Sequence, residues 1–268
     1  MKEIGVITGG GSGMGLEAAK LLGQKYRLIL VGRTAAKLEK AIAELTAAGV
    51  QAEAFPADAS DRASVDKLAA YAAAQGPVKV VLHAAGVSPH MTDGAKIFAI
   101  NALGTINIDQ AFAQVMTSGC IINVASMSAY MLPPEQTPTQ LYRLSLKDLA
   151  AFQNAMEQVI AASPAQQQAG TAYTLSKNFV IWYTARMAVR YGGKGLRVVS
   201  ISPGTFDTPM GEIEGQEAAA FATRGALGLS LIHILMSMPL ETHGSTEVPS
   251  GARLKTRTLR LTVVVPSL

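Results

Sequence analysis

Tyr173 and Lys177 stand four positions apart in Tyr173-Thr174-Leu175-Ser176-Lys177. On a helix that spacing puts both on one face. Free tyrosine titrates near pH 10, far too high for a base at neutral pH. A neighbouring ammonium favours phenolate and lowers that value. The pair can therefore exchange a proton with a carbonyl or hydroxyl oxygen. The competing reading is an ordinary surface pair on an exposed helix.

Such a pair needs a reaction partner, and an earlier segment offers a place for one. Thr8-Gly9-Gly10-Gly11-Ser12-Gly13-Met14-Gly15 follows a strand-like run, Ile4–Thr8, and precedes a helical one. Glycine allows the positive φ of a tight turn and lets backbone approach a pyrophosphate. Phosphates then sit at the helix N-terminus, where free N–H groups and the dipole favour anions. The strand before and helix after favour phosphate binding over a flexible loop.

Short β-branched runs alternate with Ala-rich helical stretches over the first two hundred residues. The runs are Ile4–Thr8, Leu28–Val31, Gln51–Phe55, Val78–His83, Cys120–Val124 and Arg197–Ile201. Helices are expected at Gly13–Gln24, Ala35–Ala48, Asp61–Gln75, Gly94–Thr117 and Tyr173–Tyr191. This rhythm predicts an α/β fold with a doubly wound parallel sheet flanked by helices. Strands apolar on both faces fit that arrangement. No repeat or linker divides the chain, so one domain over 1–268 is expected.

Bulk properties exclude several classes. The 268 residues are 49% hydrophobic and 16% charged, which argues against disorder. A net charge of +4 without a dense Lys/Arg cluster argues against nucleic acid. One cysteine permits no intrachain disulfide. No apolar stretch reaches the roughly 20 residues needed to span a bilayer. The start lacks a basic region followed by an apolar core, so a cytoplasmic location is expected, and no metal site is evident.

The glycine cluster resembles the Thr-Gly-x-x-x-Gly-x-Gly signature of short-chain dehydrogenases/reductases, with Gly9, Gly13 and Gly15 as the signature glycines. The resemblance runs over about residues 3–210, with five motifs in order. It implies a Rossmann fold, a nicotinamide cofactor and hydride exchange with a carbonyl or secondary alcohol. A homo-oligomer, dimer or tetramer, is implied with it. Tyr173 and Lys177 fall where the family carries its catalytic Tyr and Lys, which also touch the cofactor. Ser126, at the carboxyl edge of the fifth strand, matches the hydroxyl that binds the substrate carbonyl, with Ser128 as its neighbour and competitor. Asn101 matches the asparagine that holds a water feeding the lysine.

For the cofactor, the resemblance implies contacts from Gly9, Gly11, Ser12, Gly13, Met14 and Gly15. Arg33 and Thr34 follow the second strand, where an acid would bind the ribose hydroxyls of NAD. Arg33 instead offers a cationic fork for a 2′-phosphate, so NADP(H) is favoured over NAD(H). The competing reading of Arg33 is a solvated charge. Many NADP-binding relatives place a second basic residue near the position of Ser12. Asp58, with Ala59, matches the aspartate that meets the adenine; it also reads as a turn or cap residue. Ala84-Ala85-Gly86 resembles the family Asn-Ala-Gly motif, with alanine for asparagine. His83 before it reads as structural rather than catalytic. Pro203, Gly204 and Thr208 match the segment that touches the carboxamide.

Two departures stand out. Residues 127–172 separate Ser126 from Tyr173, where relatives place little more than a dozen. This insertion, 130–170, resembles that of the bacterial 3α-hydroxysteroid dehydrogenase/carbonyl reductase branch, which implies a bulky, steroid-like substrate. Its Leu146, Leu149, Phe152, Met156, Val159 and Ile160 follow helical spacing, and Ser145 is placed to cap that helix. The helix reads either as docked on the core or as a lid or oligomer contact. The tail, 230–268, lacks the family's usual ending and is expected to be less ordered, with a strand at Leu259–Val265. A catalytically silent, redox-sensing dinucleotide binder is the alternative function. A third reading, in which the nicotinamide is used internally, lacks the further acid/base residues it needs.

Overall fold

Among the described residues six strands form one parallel sheet: β1 (Ile4–Thr8), β2 (Arg27–Gly32), β3 (Ala52–Pro56), β4 (Val78–His83), β5 (Gly119–Val124) and β6 (Leu196–Ile201). Their order is β3-β2-β1-β4-β5-β6, and every pair is parallel. The computed structural model describes residues 2–204. Thr208, the tail at 230–268 and the strand expected at Leu259–Val265 lie outside the described residues.

Side chains alternate across the strands, so each strand feeds two cores. Ile4 and Val6 point to one side and Ile7 to the other. On the first side lie α3 (Arg62–Gln75), α5 (Gly104–Val115) and α8 (Gln168–Gly192). On the second lie α1 (Gly13–Leu22) and α2 (Ala35–Ala47). Leu38, Ala41 and Leu45 of α2 repeat at helical spacing and are buried against Leu28 and Leu30. The order reverses between β1 and β4, and open α/β sheets bind ligands at the carboxyl ends beside such a point.

The helix expected over Gly94–Thr117 is not uniform. It comprises α4 (Gly94–Phe98), a π turn at Ala99–Leu103, and α5. Residues 97–103 are apolar at every position but Asn101, so no periodicity marks the π turn in the sequence.

The insertion begins with 3-10 turns at Met127–Met131 and Pro134–Gln136. α6 (Thr139–Tyr142), another 3-10 turn at Arg143–Leu146, and α7 (Leu149–Ala161) follow. Asp148, not Ser145, caps α7: its carboxylate accepts from Ala151 N at 2.9 Å. Ser145 sits inside the 3-10 turn and donates its hydroxyl back to Tyr142 O at 2.6 Å. For the same reason Leu146 is outside α7 and, like Leu149, exposed. α8 begins at Gln168, earlier than the Tyr173 start read from the sequence. The Gln168 side chain donates to Ala161 O and Ser163 O, tying the end of α7 to the start of α8.

Phe152, Met156 and Ile160 of α7 are buried. Phe152 and Phe179 rings lie 4.7 Å apart, Tyr142 and Phe179 5.2 Å, and Phe98 and Phe152 5.5 Å. Each such side chain is worth roughly 1.5–3 kcal/mol of burial. The insertion is thus docked on α4 and α8 through its aromatic face.

Candidate functional site

The glycine turn joins β1 to α1. Gly9 has φ +68°, and a Cβ there would fall 2.9 Å from the Ala84 carbonyl carbon. Gly15 abuts the same bend: its Cβ would meet Gly9 O and lie 2.7 Å from Gly9 C. Only glycine fits both places. Ser12, at the N-cap of α1, makes no side-chain capping bond, and the first turn holds no acid. The N–H groups of that turn are left for an anion.

A cleft of about 320 Å³ opens beside this turn. Its wall includes Gly9, Ser12, Gly13, Met14 and Gly15 from the turn, and Arg33 from the end of β2. Asp58 and Ala59 follow from β3, and Ala84, Ala85 and Gly86 from β4. Gly11, Thr34, Tyr173, Lys177, Pro203 and Gly204 are not in its wall. Lys37, Val87 and Met91 are in it and were not foreseen. For Lys37 the sequence carries no signal, because only the packing of α2 beside Gly11 brings it to the cleft. The glycine cradle and its cationic wall fit a dinucleotide.

The Asp58 carboxylate accepts from Ser60 N at 2.9 Å and Ser60 Oγ at 2.7 Å, a local turn, while the residue also lines the cleft. Asn107 of α5 fixes this loop by donating to Ala59 O at 3.0 Å and Ser60 O at 3.2 Å.

The segment after β4 hangs on Thr8. Thr8 Oγ1 accepts from Ala85 N at 3.1 Å and lies 2.8 Å from His83 Nδ1. His83 is buried, and burial, then the charge of Lys177, lowers its pKa to about 3. At neutral pH the imidazole is therefore held uncharged.

Asn101 lies in the π turn. Its side chain accepts from Val87 N at 2.9 Å, and donates to Val87 O at 3.0 Å and Ser176 Oγ at 3.3 Å. That pins the segment after β4 to α8. Asn101 O accepts from Thr105 Oγ1 at 2.8 Å. A Cβ on Gly86 would lie 3.1 Å from Asn101 Oδ1 and 3.4 Å from Lys177 Nζ. Gly86 of the cleft wall thus lies against Asn101 and Lys177, neither of which is in that wall.

Lys177 is buried and donates to Val124 O at 2.8 Å, at the carboxyl end of β5. Its Nζ lies 5.8 Å from the centroid of the Tyr173 ring. Ser126 follows two residues after Val124, and its Oγ accepts from Ser128 N at 3.2 Å. Ser128 Oγ is buried without a hydrogen-bond partner among the described residues. Met127 N donates to Pro203 O at 2.8 Å, so Pro203 abuts the serine turn. Asn178 Nδ2 donates to Ala129 O at 2.9 Å and locks α8 to that turn.

Sequence reasoning also missed a buried polar set beneath β5. Asn123 Nδ2 donates to Asp109 Oδ2 at 3.0 Å and Thr184 Oγ1 at 3.1 Å. Burial pushes the Asp109 carboxyl up to about 7, against the opposing Asn123 hydrogen bond.

A family model described as short chain dehydrogenase matches residues 3–138. The chain belongs to the short-chain dehydrogenases. It is 29% identical over 215 residues to galactitol 2-dehydrogenase (L-tagatose-forming) of Cereibacter sphaeroides, covering 76% of this chain and 71% of that one. A 2,3-dihydro-2,3-dihydroxybenzoate dehydrogenase of Bacillus subtilis is 32% identical over 139 residues, or 47% of this chain and 53% of that one. Among solved structures, a short chain dehydrogenase from Burkholderia cenocepacia in complex with NADP superposes with a TM-score of 0.67. That likeness is at 22% identity and covers 88% of this chain and 89% of the other. An actinorhodin polyketide ketoreductase variant with NADPH gives 0.62 at 21% identity, covering 82% and 77%. The fold is the single-domain Rossmann fold of this family, and the protein is an oxidoreductase acting on CH–OH groups. Among the described residues no helix is long and apolar enough to cross a membrane, and no cluster of metal-ligating side chains occurs.

Proposed function

We propose that this short-chain dehydrogenase interconverts a bulky carbonyl compound and its secondary alcohol, using NADP(H). One observation carries the reading. Lys177, a helical turn from Tyr173, reaches the carboxyl end of β5 beside Ser126 and meets Gly86 of the cleft.

A bound nicotinamide dinucleotide supplies or takes up the hydride. The chain's own residues would handle the rest. Ser126 would donate a hydrogen bond to the carbonyl oxygen. Tyr173 would give that oxygen its proton in reduction and accept it back in oxidation. Lys177 would favour the phenolate and bind the nicotinamide ribose. Asn101 would hold the loop and α8 in register. Gly9 through Gly15 would receive the pyrophosphate, Asp58 and Ala59 the adenine side, and Arg33 with Thr34 a 2′-phosphate. Ala84, Ala85, Pro203 and Gly204 would flank the nicotinamide, with Thr208 beyond the described residues.

The bulky-substrate part rests on exposed apolar residues around Ser126. Met127, Tyr130 and Met131 are 51%, 56% and 75% exposed, and Met91 in the cleft wall is 46% exposed. Flexible thioethers suit a large apolar surface of variable shape. A homo-oligomer in the cytoplasm belongs to the same reading on family membership.

Tyr173→Phe tests it. NADPH-dependent reduction across a panel of ketones should fall at least about a thousandfold, with NADPH affinity kept within about twofold. Unchanged turnover would remove Tyr173 from the mechanism.

A further inference from the structure

We propose that Lys37 is the second cation of the nucleotide site and confers, with Arg33, selectivity for a 2′-phosphate. This rests on the NADP(H) reading above and assigns a residue to it.

The glycine turn, Thr8 through Gly15, contributes no basic side chain. The opposite wall does. Arg33 follows the last residue of β2, Thr34 is the N-cap of α2, and Lys37 lies in the first turn of that helix. Both line the cleft and both are exposed. A Cβ on Gly11 would lie 3.4 Å from Lys37 Cβ, so this turn of α2 leans directly on the glycine turn. Lys37 therefore rises beside the position that Ser12 leaves empty of charge.

Among the described residues no acid is paired with either cation, Arg33 or Lys37. The first turn of α2 contains no acid. Glu44 farther along pairs with Lys20 at 2.7 Å. The carboxylate in the cleft wall, Asp58, accepts from Ser60 N and Ser60 Oγ and forms no ion pair with either cation among the described residues. Thr34 is the N-cap residue of α2 but makes no side-chain capping bond, which leaves its hydroxyl for a ligand. A pyrophosphate already has the N–H groups at the start of α1, on the other wall. The remaining positive charge calls for a separate anion at the end of β2. Arginine supplies a planar fork for it and lysine a point charge.

The test is calorimetric titration of wild type, Lys37→Gln and Arg33→Ala with four probes: NADPH, NADH, 2′,5′-ADP and 5′-ADP. Lys37→Gln keeps helix propensity and chain length, so folding is spared. It should weaken NADPH and 2′,5′-ADP about tenfold and shift NADH and 5′-ADP less than about twofold. Equal weakening of all four probes, or none, overturns the assignment. Wild type that binds NADH as tightly as NADPH overturns the NADP(H) reading and the assignment with it. Wild type that prefers NADPH, loses the preference in Arg33→Ala and keeps it in Lys37→Gln overturns the role of Lys37 alone.

Discussion

His83 Nδ1 lies 2.8 Å from Thr8 Oγ1, across the carboxyl ends of β4 and β1. The same hydroxyl accepts from Ala85 N, so one threonine holds both the imidazole and the loop after β4. His83 Nε2 is buried without a hydrogen-bond partner among the described residues. Protonation would bury a charge close to Lys177, which is why the pKa falls to about 3. An unfolded histidine titrates near 6.5, so between about 6.5 and 3 the unfolded chain binds the extra proton. His83 therefore contributes stability that is present above about pH 6.5 and is lost as pH falls. Thermal melts should show His83→Asn losing less stability than wild type on going from pH 6.5 to 4. Parallel curves would mean that His83 is not held neutral.

Gly15→Ala and Gly11→Ala separate a packed glycine from a tolerant one. The first places a methyl against the Gly9 carbonyl, and backbone there has nowhere to move. The second places it at ordinary contact distance from Lys37 Cβ. Gly15→Ala should raise the NADPH Kd at least about tenfold by deforming the anion-binding turn. Gly11→Ala should stay within about threefold. Fluorescence titration of NADPH reads both, and equal effects would deny the turn its role.

Phe179→Ala should cost about 3–5 kcal/mol of stability. Its ring lies 4.7 Å from Phe152, 5.2 Å from Tyr142, 5.4 Å from Tyr183 and 6.0 Å from Trp182. It therefore joins the insertion to the helix that carries Tyr173 and Lys177. Urea unfolding should show the loss, and Phe179→Leu should recover more than half of it. A loss under about 1 kcal/mol would mean that the insertion docks by other contacts.

The parts of this molecule that are legible in sequence are those where one residue type meets one local demand. Gly9 and Gly15 reveal the turn because a Cβ fails there, and Ile4 through Thr8 reveal a strand buried on both faces. Tyr173 and Lys177 show their common face by spacing alone. What stayed hidden depends on partners distant in sequence or on small geometric choices. The π turn falls in a stretch that is apolar at every position but Asn101, and there Asn101 reaches Val87 and Ser176 together. Asp148 displaced Ser145 as the cap because an extended backbone at 148 aims its carboxylate at Ala151 N. Lys37 reads as a solvated helix residue until α2 is laid beside the glycine turn. The set of Asp109, Asn123 and Thr184 comes from three elements, and only the sheet brings them together.

That buried set predicts a pH effect opposite in sign to that of His83. His83 and Asn123 are register partners on β4 and β5, and Asn123 donates to Asp109. The Asp109 carboxyl is raised to about 7 by burial, and Tyr183 and Tyr191 of α8 are the titratable groups coupled to it. An unfolded aspartate titrates near 3.9, so between about 4 and 7 the native state holds the extra proton. Its contribution to stability is then full in acid and is lost as pH rises through that window, by at most about 4 kcal/mol. Across pH 4 to 6.5 this loss offsets the gain from His83. Asp109→Asn keeps a neutral acceptor for Asn123 and removes the titration. It should melt higher than wild type at pH 8, by several degrees. On its own it should also steepen the acid loss between pH 6.5 and 4, because the His83 slope is then unopposed. The double variant His83→Asn/Asp109→Asn should be about as flat as wild type over that range and flatter than either single variant. An Asp109→Asn melting curve parallel to wild type from pH 4 to 8 would show that the carboxylate is already ionised when buried.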